Sequence, residues 1–162
     1  MGTHFHGTEK QITALDAYIK LMKAVKSATS RIHRHLKSWN LTTGQLAILD
    51  ALYHLGPLAQ RDLAEKILVT SGNITMVVDN LEKRSLVERI RGTEDRRFVT
   101  VHLTEKGARL FEQMFPGHVE RIVAEMGALT GSEQEELGRL CRKLGSEKRI
   151  DRTALRTERR RK

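Results

Sequence analysis

Residues 91–107 read RGTEDRRFVTVHLTEKG. Five of the first seven side chains are charged, and the FVTVHLT that follows alternates apolar with polar. Alternation with a period of two marks a strand with one face buried. Val99, Val101 and Leu103 share one face; Phe98, Thr100 and His102 share the other. LVERIR (86–91) reads as a second short strand, so the charged stretch is the turn of a hairpin. What that turn is for depends on what precedes it.

Upstream lie two helical patterns. AQRDLAEKI (59–67) is a short helix with Leu63, Ala64 and Ile67 inward. LVTSGN breaks its period, and SGNITMVVDNLEKRSL (71–86) restarts a helix, capped by Thr70 or Ser71. Ile74, Val77, Val78 and Leu81 form its buried stripe. Helix, sharp break, helix, hairpin is the order of a winged helix-turn-helix. In that motif the second helix enters the DNA major groove, and its first turns meet base edges. Here those turns carry Ser71, Gly72, Asn73, Thr75 and Met76, with Asn80 farther along. Small residues permit close approach, Asn pairs with adenine, and Ser or Thr bonds a base edge or phosphate. The hairpin is then the wing. Its turn is charged because it reaches toward the phosphate backbone, with Arg91, Arg96 and Arg97 around the tip. An arginine there enters a narrow minor groove, where negative potential is focused. Asp95 would repel phosphate, so its expected role is to steady an arginine by a charge-assisted hydrogen bond.

Helices flank this core. Residues 9–39 place Tyr18, Leu21, Met22, Val25, Ile32, Leu36 and Trp39 on one helical arc, and Lys20, Lys23, Lys26, Arg31, Arg34 and Lys37 on the other. A helix of that length spans roughly 45 Å, more than a small domain, so part of its apolar face calls for a second subunit. NLTTGQLAILDALYHLGPL (40–58) is a helix with a Thr42–Gln45 capping box, a Leu41–Leu46 staple and a Gly56-Pro57 stop. Thr104 caps a helix over 104–128, which Pro116-Gly117 should kink or interrupt. Thr130 and Glu133 form another capping box, opening a helix with Leu137, Leu140, Cys141 and Leu144.

Composition sets the bounds. The chain has 162 residues, enough for one domain with helical extensions, at 39% hydrophobic and 30% charged. Net charge is +9, of which residues 149–162 supply +5 through seven Arg/Lys against two acids. A basic surplus suits polyanionic partners. The tail reads equally as a non-specific DNA anchor or a solubilising end; the lysine arc of the first helix is foremost a solvated face. Cys141 is the single cysteine, which fits a reducing cytoplasm and a small inert apolar residue. No apolar run is long enough for a membrane span, and the N-terminus lacks the pattern of a secretory signal. No cofactor motif and no metal site is expected. His4/His6 and His33/His35 are two apart, which on a helix points each pair to opposite sides, and His54, His102 and His118 are scattered. Neither a nucleophile elbow, a phosphate loop nor HExxH occurs, so an enzyme is disfavoured. A winged-helix module for protein or RNA contact stays open as the alternative.

Taken together, residues 71–107 resemble the core of the multiple antibiotic resistance regulator (MarR) family. The matching features are the Ser-Gly helix start, Leu81, LVER, the Asp-x-Arg of Asp95–Arg97, and LTEKG. The resemblance implies one domain over 1–162: a mainly α fold with a small β-hairpin. Residues 42–103 would be the winged helix-turn-helix lobe, 9–39 and 104–147 the flanking dimerisation helices, and 148–162 a basic tail. It implies a homodimeric repressor on a near-palindromic operator. It also implies a small aromatic or phenolic effector between the dimer base and the lobe. By position Arg97 is the wing arginine and Asp95 its support. One departure is that the recognition helix carries Asp79 and Asn80 where a base would serve phosphate.

Overall fold

In the computed structural model of the chain, the described residues are 4–67, 71–91 and 99–145, with 71–73 described by backbone alone. Thr70, Asp95, Arg96, Arg97, Phe98 and the basic tail lie outside them. The chain divides into two compact units, one ending at Glu125 and the other starting at Met126.

The first unit opens with α1 (Glu9–His33), started by a Thr8–Gln11 capping box. None of its 25 residues is buried. The helix expected over 9–39 is therefore corrected. Its α-helical part is about 37 Å long, and the chain tightens into a 3₁₀ turn over Arg34–Trp39, closed by Asn40 in the left-handed region at φ 50°. The Ser38 hydroxyl donates to the His35 carbonyl (2.7 Å), a local bond that competes with the α-helical ladder. A 3₁₀ turn eclipses residues three apart, and this brings both Leu36 and Trp39 onto the core.

Helix α2 (Thr43–Leu55) carries the expected capping box: Gln45 N donates to Thr42 Oγ1 (3.2 Å), and Thr42 N to Gln45 Oε1 (2.9 Å). Its run Leu46, Ile48, Leu49 and Leu52 is the centre of the core. Gly56 ends it at φ 76°, a value that favours glycine. Next comes an element with no separate sequence signal, the two-residue strand β1 (Leu58–Ala59). It displaces the expected start of the third helix, so α3 runs Gln60–Lys66. Helix α4 (Ser71–Lys83) follows, with Ser71 already inside it. Leu63 and Ala64 of α3 and Ile74, Val78 and Leu81 of α4 are buried as expected; Ile67 and Val77 are partly so.

Strands β2 (Val87–Arg91) and β3 (Val99–Leu103) pair antiparallel, from Val87 opposite Leu103 to Arg91 opposite Val99. Strand β1 pairs with the other edge of β3, Leu58 opposite Val101, so the sheet order is β1-β3-β2. The hairpin is thus tied to the chain between α2 and α3. Helix α5 (Glu105–Met126) begins at the Thr104 cap, whose Oγ1 accepts from Gly107 N (3.0 Å). It continues through Pro116, so of the expected kink or interruption the interruption does not occur. Pro116 and Glu112 are both exposed, so the carbonyl that loses its donor to the proline ring faces water, while Phe111 and Met114 anchor the buried side.

The second unit contains α6 (Gly131–Gly145), opened by the expected Thr130–Glu133 box. Gln134 Nε2 also closes the preceding turn by donating to the carbonyls of Met126 and Leu129. Leu137, Leu140 and Leu144 are exposed. So is Cys141, which corrects its reading as a buried apolar residue: it lies on a helix with no buried position in the single chain. Among the described residues no helix is long and apolar enough to cross a membrane.

Candidate nucleic-acid interface

Helix α4 divides cleanly. Ile74, Val78 and Leu81 face the core, whereas Thr75, Met76 and Asn80 are exposed, Met76 at 57%. The exposed side of α4 is therefore small and polar apart from Met76. Ser71 and Asn73 lie in the helix's first turn, the end that concentrates unpaired backbone N–H groups. Arg91 is exposed at the end of β2. The structure thus collects Thr75, Met76 and Asn80 on one helix and sets the wing strands directly after it. Arg96, Arg97 and Asp95 fall between Arg91 and Val99, outside the described residues.

What the sequence reading missed is how these parts are held. Arg89, midway along β2, donates through Nη2 to Asp79 Oδ1 (2.5 Å) and through Nη1 to Glu82 Oε2 (2.6 Å). Its Nε and Nη2 both reach Gln60 Oε1 (3.3 Å each), and its backbone N donates to Glu82 Oε1 (2.9 Å). Gln60 Nε2 in turn donates to Thr75 Oγ1 (2.7 Å). Burial works against the guanidinium charge, but the bonds to Asp79 and Glu82 outweigh it and hold Arg89 above its ordinary pKa. Asp79 is therefore not a misplaced acid where phosphate should sit. It is one jaw of a clamp on the wing. A sequence signal existed: two acids three apart on a helix, followed by an arginine at alternate strand spacing, but the partners could not be named without the fold.

Arg84 is another arginine absorbed by structure, donating to the carbonyls of Asn40 (2.5 Å) and Trp39 (3.3 Å). It anchors the C-terminal end of α4 to the 3₁₀ turn. Ser85 follows in the left-handed region at φ 57°, and Leu86 N returns to Leu81 O (3.0 Å), a helix-ending motif that usually takes glycine.

The sequence puts His33 and His35 on opposite sides of a helix and His118 apart from both, yet the three rings meet. His118 of α5 stacks on both His33 and His35, with ring centroids 5.5 and 5.2 Å away. The change from α to 3₁₀ geometry at His33 explains this. Residues two apart are about 120° apart in a 3₁₀ turn rather than on opposite sides. His35 Nδ1 lies 2.8 Å from the Ile32 carbonyl, and His33 Nδ1 lies 2.9 Å from Thr43 Oγ1. His35 Nε2 and His118 Nδ1 are buried and have no hydrogen-bond partner among the described residues. Burial lowers the pKa of His118, reinforced by His35, His33 and Arg121 and opposed by Asp50. Burial, then His35, lowers that of His33. Among the described residues no group of three or more His, Cys, Asp or Glu side chains is arranged to hold a metal ion.

Nearby, Arg31 grips Glu125 through two bonds, one from Nε at 2.8 Å and one from Nη2, linking the end of α1 to α5. Their mutual bond raises the arginine and lowers the carboxyl. The remaining basic side chains of α1 stay on the exposed side.

Comparison with known proteins places these features. The MarR family model matches residues 41–99, which span α2 through the start of β3. The HTH-type transcriptional regulator MhqR of Bacillus subtilis is 33% identical over 138 residues, covering 85% of this chain and 93% of that protein. Among solved structures, NadR in complex with 4-hydroxyphenylacetate is 26% identical with a TM-score of 0.68, covering 90% of this chain and 99% of its own. The organohalide-sensing regulator RdhR-CbdbA1625, in its 2,4-dichlorophenol-bound form, is 25% identical with a TM-score of 0.75, covering 89% and 88%.

Proposed function

The chain belongs to the MarR family of DNA-binding transcriptional regulators, and from that premise we propose that it works as a cytoplasmic homodimeric repressor of a two-fold-symmetric operator, released by a small aromatic or phenolic effector. One observation carries the reading. A single unit holds an exposed polar recognition face on α4 and a long helix, α1, whose apolar arc is left open. Tyr18, Met22 and Val25 of that arc are 60%, 49% and 52% exposed. An open apolar arc of this length is stabilised by a second copy of the same helix. Two copies then present two α4 helices to successive major grooves about 34 Å apart. Ser71, Asn73, Thr75, Met76 and Asn80 read base edges and flanking phosphate. Arg91, Arg96 and Arg97 follow the backbone into the minor groove, with Asp95 steadying Arg97.

The effector class is supported by the two aromatic ligands held by the related regulators. In this chain, the 3₁₀ turn and α5 bring together His35 Nε2 and His118 Nδ1, two ring nitrogens without a hydrogen-bond partner among the described residues, and His118 lies beside Phe115, which stacks on Phe111. A phenolic hydroxyl donates to such a nitrogen while its ring lies on the aromatic stack. An effector that binds better when the two α4 helices stand at another spacing lowers operator affinity by population shift.

Selection of bound duplexes from a random library at physiological salt tests the proposal. A consensus with two-fold symmetry is expected. Recovery of no preferred sequence would return the chain to the general winged-helix module. Adding a simple phenol such as 4-hydroxyphenylacetate to the selected complex is expected to weaken it.

A further inference from the structure

We propose that Arg89 is a positioning residue that sets the sequence discrimination of this regulator without itself touching DNA. The inference rests on α4 being the base-reading helix.

Arg89 is 22% exposed, and its fork is already committed. Nη1 is on Glu82, Nη2 on Asp79, and Nε on Gln60. Two carboxylates against one guanidinium leave a local net charge of −1, which repels phosphate. An arginine so placed is unsuited to the phosphate contact that a basic residue in a wing ordinarily suggests. Its partners, however, lie on each of the elements that must agree in angle. Asp79 and Glu82 sit one turn apart on α4, Gln60 opens α3, and Arg89 itself belongs to β2 of the wing. The chain of bonds continues from Gln60 Nε2 to Thr75 Oγ1, a side chain on the exposed face of α4.

The physical need is rotational. The inner face of α4 is held by Ile74, Val78 and Leu81, and apolar burial is non-directional. It fixes which face of α4 turns inward, and directional bonds on the helix's outer flank add a finer constraint on its roll about the axis. Base-edge hydrogen bonds fail when donor and acceptor are misaligned by a few tens of degrees. A planar guanidinium bonded to two carboxylates has directional bonds on both, and it fixes the roll of α4 and the lean of β2 together. Discrimination between base pairs thus depends on a residue that contacts none of them.

The test uses the full-length chain, the duplex that it selects from the random library, and a random-sequence duplex. Affinities are read by fluorescence anisotropy across a salt series. Arg89→Lys keeps the charge and loses the fork; Gln60→Ala removes the α3 limb and leaves the ion pairs. For Arg89→Lys we expect a loss of about tenfold or more on the selected duplex and less than about twofold on the random one, with the salt slope unchanged. Gln60→Ala should shift the same ratio by a smaller factor, about three- to tenfold. Thermal melts establish that each variant is folded, and the milder Gln60→Ala stands in if Arg89→Lys is not. Equal weakening on both duplexes with a shallower salt slope would mark Arg89 as a phosphate contact and overturn the inference. An unchanged ratio in the folded variants would overturn it too. If the native chain selects no consensus, the base-reading role of α4 falls first and this inference with it.

Discussion

Replacing Gly107 by alanine is the sharpest test of how the wing is joined to the rest of the first unit. A Cβ built on Gly107 would lie 2.1 Å from the Leu86 carbonyl oxygen and 2.8 Å from Leu103 Cδ1. A carbon and a carbonyl oxygen ordinarily stay about 3.3 Å apart or more, so one of the two segments must move by roughly 1 Å. The leucine tip can turn aside, but the carbonyl cannot. Leu86 and Val87 are both 1% exposed, Thr104 N donates to Leu86 O (3.2 Å), and Thr104 Oγ1 donates to Ser85 O (2.8 Å). Moving α5 away would disturb its Thr104 cap, a loss of about 1 kcal/mol. It would also break the Thr104–Leu86 bond, worth about another, and overpacking adds roughly 1–3 kcal/mol. Alanine's better helix propensity offsets less than about 1 kcal/mol at this first-turn position. The expected net destabilisation is about 3 kcal/mol, or a fall in Tm of roughly 6–12 °C for a chain of this size. Thermal and urea denaturation followed by circular dichroism, at one fixed protein concentration, measure it. Gly117→Ala in the same helix is the control, because its Cβ meets only the far end of Arg121 at 3.4 Å. It should be neutral or slightly stabilising. A Gly107→Ala variant as stable as the native chain would refute the claim that α5 crosses the start of β2 at backbone contact.

Three further outcomes are expected. Ser85→Gly should stabilise the protein by about 0.5–1 kcal/mol, because Ser85 holds φ 57° at a cost that glycine avoids; a lower urea midpoint would contradict this. The lowered pKa values of His33 and His118 mean that the unfolded chain takes up protons first as pH falls. Their contribution to stability is full above the ordinary histidine value of about 6.5 and is lost as pH drops toward the folded-state values. His118→Gln should flatten the stability-against-pH curve in that window, and a curve of unchanged slope would exclude the cluster as its source. Arg97→Ala should abolish preference-bearing operator affinity with the melt unchanged, while Asn73→Ala should relax base preference more than overall affinity; gel-shift titrations on selected and random duplexes separate the two.

The amino-acid sequence by itself determined what is decided locally. Capping boxes at Thr42–Gln45 and Thr130–Glu133, the Thr104 cap and the buried stripe of α4 need only neighbours within a turn or two, and each stands where the residues put it; β3 also forms where its alternation puts it, although only Val101 of its expected inner face is buried. The family signature was legible for the same reason, since it lies in one continuous stretch. Tertiary structure alone decided the remainder. Two residues, Leu58 and Ala59, are too few to show a period and become a strand only because β3 offers an unpaired edge. His33, His35 and His118 look dispersed until a 3₁₀ turn rotates two of them toward α5. Asp79 looked like a poorly placed charge until Arg89 arrived from the wing to meet it. In each case the deciding partner lies outside the segment itself. Hydrogen bonding and packing across such separations leave no periodic trace in a sequence.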